Sequence, residues 1–428
     1  MTQSDRLKVI YRIKEIVFSR HFNAAGVNYS DWSRAIEVQL PVLLRADDKT
    51  FEDGIRNLLR ELRSSHTNFY RSDTQPALPQ HAIGATFSSV SYNGAARWMV
   101  LDVFDQSPAA RAGLKPGQFL QELDNVRVAP PAFPVFRFGH EHRLTLECPW
   151  QGKPRNLILN VPARKQRLRR LPLVEPSSVT HHVVGSIGML KIPFFSGAFG
   201  IRFSKLLDRA IHSIKAQGCN RLIIDLRGCL GGSLGFARLA SYMCPNRIPI
   251  GYDVTRTRLQ RGYDIAQLPR VSMPRSRIGL LFCLARFSLQ DKSLVLLTQG
   301  LGNQPFHGRI VVLVNEWTNS AGEIVAQFAT DTKLAIVVGK QTRGNVLGST
   351  TFDVGDGYRL YLPIFGWYGP NGNSSEGYGV QPDVSVDVNP DRLCYGSDAQ
   401  FEKALEILQR RIWNRTTLAP AASTGTQR

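Results

Sequence analysis

The feature that most restricts the fold begins at residue 184, where short apolar runs alternate with amphipathic stretches. Residues 186–192, 221–226 (RLIIDL), 310–314 (IVVLV) and 334–338 read as strands, and 199–216, 234–243 and 321–330 as helices. Runs such as 310–314 are apolar at consecutive positions, so both faces of their sheet must be covered. Helices recurring between such strands supply that cover, which is an α/β layer pattern. Residues 246–306 show no clear periodicity and read as a long insertion. Residues 401–413 read as a closing helix and 415–428 as a loose, small and polar tail.

Two other textures precede this block. Leu7, Ile10, Tyr11, Ile13, Ile16 and Val17 recur at helical spacing over 4–20, behind Ser4 as a candidate cap. Further helices fit 31–44 and 50–64, the latter with Phe51, Ile55, Leu58, Leu59 and Leu62 on one face. This small helical domain ends in the polar turn Ser64-Ser65-His66-Thr67-Asn68. From 83 to about 163, β-prone runs alternate with turn residues. Within them lies SPAARAGLKPGQFL (107–120), a short helical turn ended by Gly113 and followed by a Pro-Gly turn into a strand. It resembles the PDZ domains of proteases, where S-P-A-x-x-A-G-L-x-x-G-D-x-I is the usual form, with Gln118 standing where Asp is common. The resemblance implies that Gly84, Ala85, Thr86 and Phe87 form a loop cradling a peptide's C-terminal carboxylate. The plainer alternative is that Gly84 only makes a turn.

A chain of 428 residues, 43% of them hydrophobic, can bury several cores. The expected division is a helical domain 1–75, a PDZ domain 80–165, an α/β domain 170–395, a C-terminal helix 396–414 and a tail 415–428. Lys and Arg number 53 against 34 Asp and Glu, a net charge of +19, with arginine clusters at 164–170 and 256–277. No helix-turn-helix, RNP or zinc-finger pattern accompanies that charge, so it reads as a solvated basic surface and not as a nucleic-acid site. No apolar run is long enough for a transmembrane span. The first twenty residues lack a signal-peptide core, so the expected location is cytoplasmic, or periplasmic if a leader has been removed. The six cysteines form no C-x-x-C pair, and His181-His182 and His140-x-His142 lack a third ligand at sensible spacing. No metal or cofactor is expected, and a homo-oligomer is left open.

Two strand-to-helix junctions could hold chemistry. One is Asp225-Leu226-Arg227-Gly228-Cys229-Leu230-Gly231-Gly232-Ser233, where Asp225 and Arg227 read as braces and Cys229 as a weak rival nucleophile. The other is Asn315-Glu316-Trp317-Thr318-Asn319-Ser320-Ala321-Gly322-Glu323. Ser320 falls at a helix N-terminus, where unpaired N–H groups and the helix dipole favour a developing oxyanion. Taken alone it reads first as an ordinary N-cap.

The order of these pieces resembles that of the C-terminal-processing (tail-specific) serine peptidases: helical domain, PDZ module, D-L-R-x-x-x-G-G, x-S-A-x-E. The likeness continues through 338–345 (VGKQTRGN) and 376–383 (EGYGVQPD). It implies an α/β catalytic domain of crotonase/ClpP-like layers, with Ser320 as nucleophile and oxyanion donors on Ala321 and on Gly231 or Gly232. In the Ser-Lys branch a lysine stands twenty-five residues after the serine, and here that position is Asn345. A neutral amide cannot accept the serine proton. The branch like the tricorn-protease core uses Ser-His-Glu instead, which implies His66 as base and Glu376 as its orienting acid. The plain readings are a surface-turn histidine and a loop carboxylate. The function implied is a serine endopeptidase, cofactor-free, acting on proteins with disordered C-terminal tails. The alternative is an inactive peptide- or ligand-binding scaffold of the same fold, like the retinoid-binding modules.

Overall fold

The computed structural model describes residues 1–71, 76–77, 79–149, 153–163, 178–274, 279, 293–302, 306 and 309–409. The basic cluster at 164–170, part of that at 256–277, Cys283 and the tail 415–428 therefore include or are residues outside the described ones. The chain divides into two compact units. One comprises Met1–Pro76, Pro249–Leu297 and Gly344–Tyr378; the other comprises Ala77–Ile248, Thr298–Arg343 and Gly379–Arg428.

The first unit opens with the helices Gln3–Arg20, Tyr29–Arg45 and Asp48–Arg60. Thr2, not Ser4, caps the first, because its hydroxyl accepts the Asp5 N–H while the Asp5 carboxylate reaches back to Thr2. The third helix stops at Arg60, four residues earlier than the periodicity predicts, and Arg63 and His66 beyond it have positive φ. Val9, Ile13, Val17, Trp32, Ile36, Phe51, Ile55 and Leu58 form one core with Phe69, Tyr358 and Leu360 of a sheet. That sheet runs Asn68–Arg71, Tyr358–Tyr368, Pro249–Thr255, Leu294–Leu297, Arg270–Ser272, with Gly348–Gly355 also paired to Tyr358–Tyr368. The stretch 246–306, expected as an insertion, thus supplies three of the sheet's six strands. They are short, and the helix Arg256–Arg261 interrupts them, which is why no period shows in the sequence.

Among the described residues the second unit holds two large sheets. One is antiparallel, ordered Ala85–Tyr92, Ala95–Val103, Phe119–Leu123, Glu141–Glu147, Arg155–Asn160. Its turn 107–113 forms as the sequence predicts: Ser107 caps Pro108–Ala112, and Gly113 ends it at φ 85°. The other sheet runs Thr180–Val184, Ile187–Lys191, Arg221–Asp225, Ile310–Val314, Ile336–Gly339, Val384–Ser385, parallel after the first pair. Ile223, Val311, Leu313, Ile336 and Val338 pack on Ala404, Ile407 and Leu408 of the helix Ala399–Gln409. Leu222, Ile224, Val312 and Val337, which face the other way, are buried too. The consecutive apolar runs arise from this two-sided burial. Among the described residues no helix is long and apolar enough to cross a membrane.

Candidate active site

In the second unit, the chain leaves the strand Ile310–Val314 through a tight turn. Thr318 N–H donates to the Asn315 carbonyl (2.9 Å), and the Thr318 hydroxyl donates to the Leu226 carbonyl (2.9 Å). Asn319 N–H donates to the Cys229 carbonyl at 2.9 Å. These bonds tie the turn to the glycine-rich loop after Arg221–Asp225. Ser320 follows at φ 51°, ψ −114°, a conformation a serine adopts only where its surroundings enforce it, and the helix Ala321–Thr332 starts at the next residue.

Ser320 is fixed from its backbone. Its N–H donates to Glu323 Oε2 (3.0 Å), and Glu323 Oε1 accepts the Thr342 hydroxyl (2.7 Å). Thr342 Oγ1 in turn accepts the Val380 N–H at 2.7 Å. Glu323 is fully buried, and its place in the first helical turn lets the helix dipole stabilise its charge. Gly231 lies against the serine: a Cβ there would stand 2.7 Å from Ser320 Cβ and 3.3 Å from Ser320 Oγ. A Cβ on Gly232 would meet the Phe195 carbonyl at 2.4 Å. The junction thus admits only glycine at both positions.

The braces behave as the sequence suggests. Arg227 donates to both Asp225 oxygens (2.9 and 2.8 Å) and to Asp398 (2.6 Å). Burial alone would push the Asp225 carboxyl up, but the Arg227 charge and hydrogen bonds hold it below the usual range. Cys229 is buried, and burial pushes its thiol up to about 12, so it stays protonated and is no rival nucleophile. Lys340 pairs with Asp387 at 3.0 Å. His142 is committed to Asp124 (2.7 Å) and to the Arg137 N–H (2.9 Å). Among the described residues no three His, Cys, Asp or Glu side chains form a metal-holding group.

At the segment expected to cradle a carboxylate, Gly84 (φ 70°) donates its N–H to the Pro79 carbonyl at 3.1 Å. Ala85 begins the edge strand. Thr86 is buried with its hydroxyl on Asp102 (2.6 Å), and the Phe87 carbonyl accepts the Trp317 indole N–H at 3.0 Å.

The first unit brings His66 and Glu376 into one cluster, through a residue the sequence reading passed over. Glu376 Oε2 accepts the Ser65 hydroxyl (3.0 Å) and Oε1 accepts the Ser65 N–H (3.0 Å). Ser65 Oγ is in turn 3.0 Å from His66 Nδ1. A hydroxyl that gives its one proton to a carboxylate can only accept from the ring, so Nδ1 carries the hydrogen and Nε2 the lone pair. The Val346 N–H adds a further donor to Glu376 Oε2 at 2.9 Å. Only the adjacency of Ser65 to His66 could have flagged it.

His21 steadies the same turn. It is fully buried, with Nδ1 2.9 Å from the Tyr29 hydroxyl and Nε2 3.0 Å from Ser64 Oγ, which lies 2.9 Å from Thr67 Oγ1. Burial, helped by the Arg256 charge, pushes its pKa from 6.5 down to about 4. Between those values the unfolded chain binds a proton that the folded chain refuses, so stability is complete above pH 6.5 and is lost as pH falls towards 4. The expected loss across that window is about 3 kcal/mol. Urea unfolding at pH 7 and pH 4.5 should show it in the parent and much less in His21→Gln; equal slopes in the two would refute it.

Residues 186–386 match the sequence model of peptidase family S41. The chain is 25% identical over 414 residues to tricorn protease homolog 2 of Streptomyces coelicolor, covering 91% of this chain and 31% of that protein. It is 25% identical over 330 residues to the carboxyl-terminal-processing protease of a Synechocystis species, covering 74% and 67%. It thus spans about a third of the first relative's length and two thirds of the second's. Its fold matches that of the solved photosystem II D1 C-terminal processing protease, at 19% identity over 96% of this chain and 99% of that one, with a TM-score of 0.57. Mature CPAF matches at 13% identity over 95% and 97%, also with a TM-score of 0.57. The matched stretch contains the glycine-rich loop, Ser320, Glu323 and Glu376, and over those residues the chain is similar to peptidase family S41, a family of serine-type peptidases.

Proposed function

We propose that the protein is a serine endopeptidase of the Ser-His-Glu type that cleaves disordered C-terminal regions of proteins. The observation that carries this reading is the chain Glu376–Ser65–His66, which leaves the basic lone pair on His66 Nε2. Ser320 Oγ attacks the scissile carbonyl carbon as its proton passes to His66 Nε2. The imidazolium so formed is held through Ser65 by the Glu376 carboxylate. The tetrahedral oxyanion is received by the N–H groups of Ala321 and of Gly231 or Gly232, where close approach needs glycine. Its collapse breaks the C–N bond, and His66 returns the proton to the leaving amine. Water then attacks the acyl-enzyme by the same route, regenerating Ser320 and releasing the carboxylic acid.

The block 80–165 serves in this reading as a PDZ module. Its strand Ala85–Tyr92 stands at a sheet edge, where a peptide tail can add as a further strand. Carboxyl-terminal processing in the Synechocystis relative's name is consistent with such substrates. The asparagine at position 345 supports a second reading, a silent binding scaffold. A fluorophosphonate probe separates the two. The expected result is labelling of the parent that vanishes in Ser320→Ala; no labelling of the parent at any pH favours the scaffold.

A further inference from the structure

Asn315 is the first residue past the strand Ile310–Val314, and it is 1% exposed. Its Oδ1 accepts two backbone N–H groups, from Gly228 of the glycine-rich loop and from Trp317 of the Ser320 turn, both at 3.0 Å. Two donors on one atom fix the orientation of the amide, since the NH2 end could accept neither. That NH2 end donates to Asp102 Oδ2 at 2.9 Å. Asp102 belongs to the strand Ala95–Val103 of the antiparallel sheet, and the same oxygen accepts the Thr86 hydroxyl at 2.6 Å.

The neighbourhood is built for this bond. Gly228 has φ 69°, and a Cβ there would lie 3.1 Å from Asp102 Oδ2 and 2.9 Å from Phe104 Cε1. The next two residues of the Ser320 turn are gripped from the adjoining strand: the Ser88 hydroxyl donates to Glu316 Oε1 (2.6 Å), and the Trp317 indole donates to the Phe87 carbonyl (3.0 Å). Burial pushes the Asp102 carboxyl up, against the opposing charges of Arg227 and Lys191. A buried carboxylate is costly to keep unless it has a task, and here its partner is the amide that joins both loops of the site.

We infer that Asp102 and Asn315 form a positioning pair: the carboxylate fixes the amide, and the amide sets the glycine-rich loop against the turn that carries Ser320. The antiparallel sheet thereby buttresses the reacting groups besides any part it takes in holding a tail. This rests on the reading of Ser320 as nucleophile and of the Gly231–Gly232 backbone as oxyanion donor.

Reciprocal exchange tests it, read as the fluorophosphonate labelling rate of Ser320 per folded molecule and as kcat and KM on an unstructured peptide. Asn315→Asp sets a carboxylate oxygen against Asp102, and its labelling rate and kcat are expected to fall at least about tenfold with KM little changed. Adding Asp102→Asn places an amide donor opposite the new carboxylate, and the second hydrogen of that amide faces the Thr86 hydroxyl, which turns from donor to acceptor. The double variant is expected to return to within about threefold of the parent, a reversal that general loosening would not produce. If Asn315→Asp does not fold, recovery in the double variant carries the same support. Parent-like rates in Asn315→Asp overturn the inference, as does a double variant that stays slow or unfolded. A parent chain that takes no label fails the reading of Ser320 instead.

Discussion

With His66 replaced by alanine, kcat on a disordered peptide is expected to fall by about 10⁴- to 10⁶-fold while KM changes little, as when a triad histidine is lost. The size follows from the geometry around the ring. The Ser65 hydroxyl between His66 Nδ1 and Glu376 Oε2 fixes both the tautomer and the plane of the imidazole. In the proposed mechanism, removing the ring removes the acceptor of the serine proton together with the charge stabilisation behind it. Ser65→Ala removes only the link, so its expected cost is about 10²-fold, within the range of general-base effects. The two variants thus give a graded series. Comparing pH profiles separates them further, because Ser65→Ala should move the acid limb of kcat/KM while His66→Ala abolishes it. A His66→Ala enzyme as fast as the parent would end the histidine assignment.

How much of this could be read from the sequence depends on the distance over which each interaction acts. The Ser320 turn was legible because it is local: an all-apolar strand, a polar turn and a helix with Glu323 three residues past Ser320, the spacing of a capping box. The helical core around Phe51 and Ile55 was legible for the same reason. Ser65 was not. Its partner Glu376 is 311 positions away, and nothing in the string Ser-Ser-His-Thr says which serine faces a carboxylate. Asn315 likewise reads as a turn residue until Asp102, 213 positions earlier, is placed beside it. The first helix shows the same limit at short range. Ser4 and Thr2 are both competent caps, and only the reach of the Asp5 carboxylate back to Thr2 decides between them.

Gly231→Ala is expected to damage both stability and turnover. At φ 85° an alanine is strained before it touches anything. Its Cβ would also stand 2.7 Å from Ser320 Cβ and 3.1 Å from the Asn319 carbonyl. Neither neighbour can swing aside: Ser320 is held at φ 51° by Glu323, and Asn319 by the Cys229 carbonyl. The collision must therefore push the glycine-rich loop away from the serine, which in the proposed mechanism withdraws an oxyanion donor. The expected results are a loss of about 1–3 kcal/mol of stability and a fall in kcat of about 10²- to 10³-fold. Gly185→Ala supplies the control. Gly185 also has positive φ (60°) but nothing lies within 4 Å of the added methyl, so it should lose stability and keep kcat. Melting curves and turnover numbers on both proteins decide the matter. If Gly231→Ala melts early yet turns over like Gly185→Ala, the oxyanion is held elsewhere and Gly231 serves only the packing of the junction.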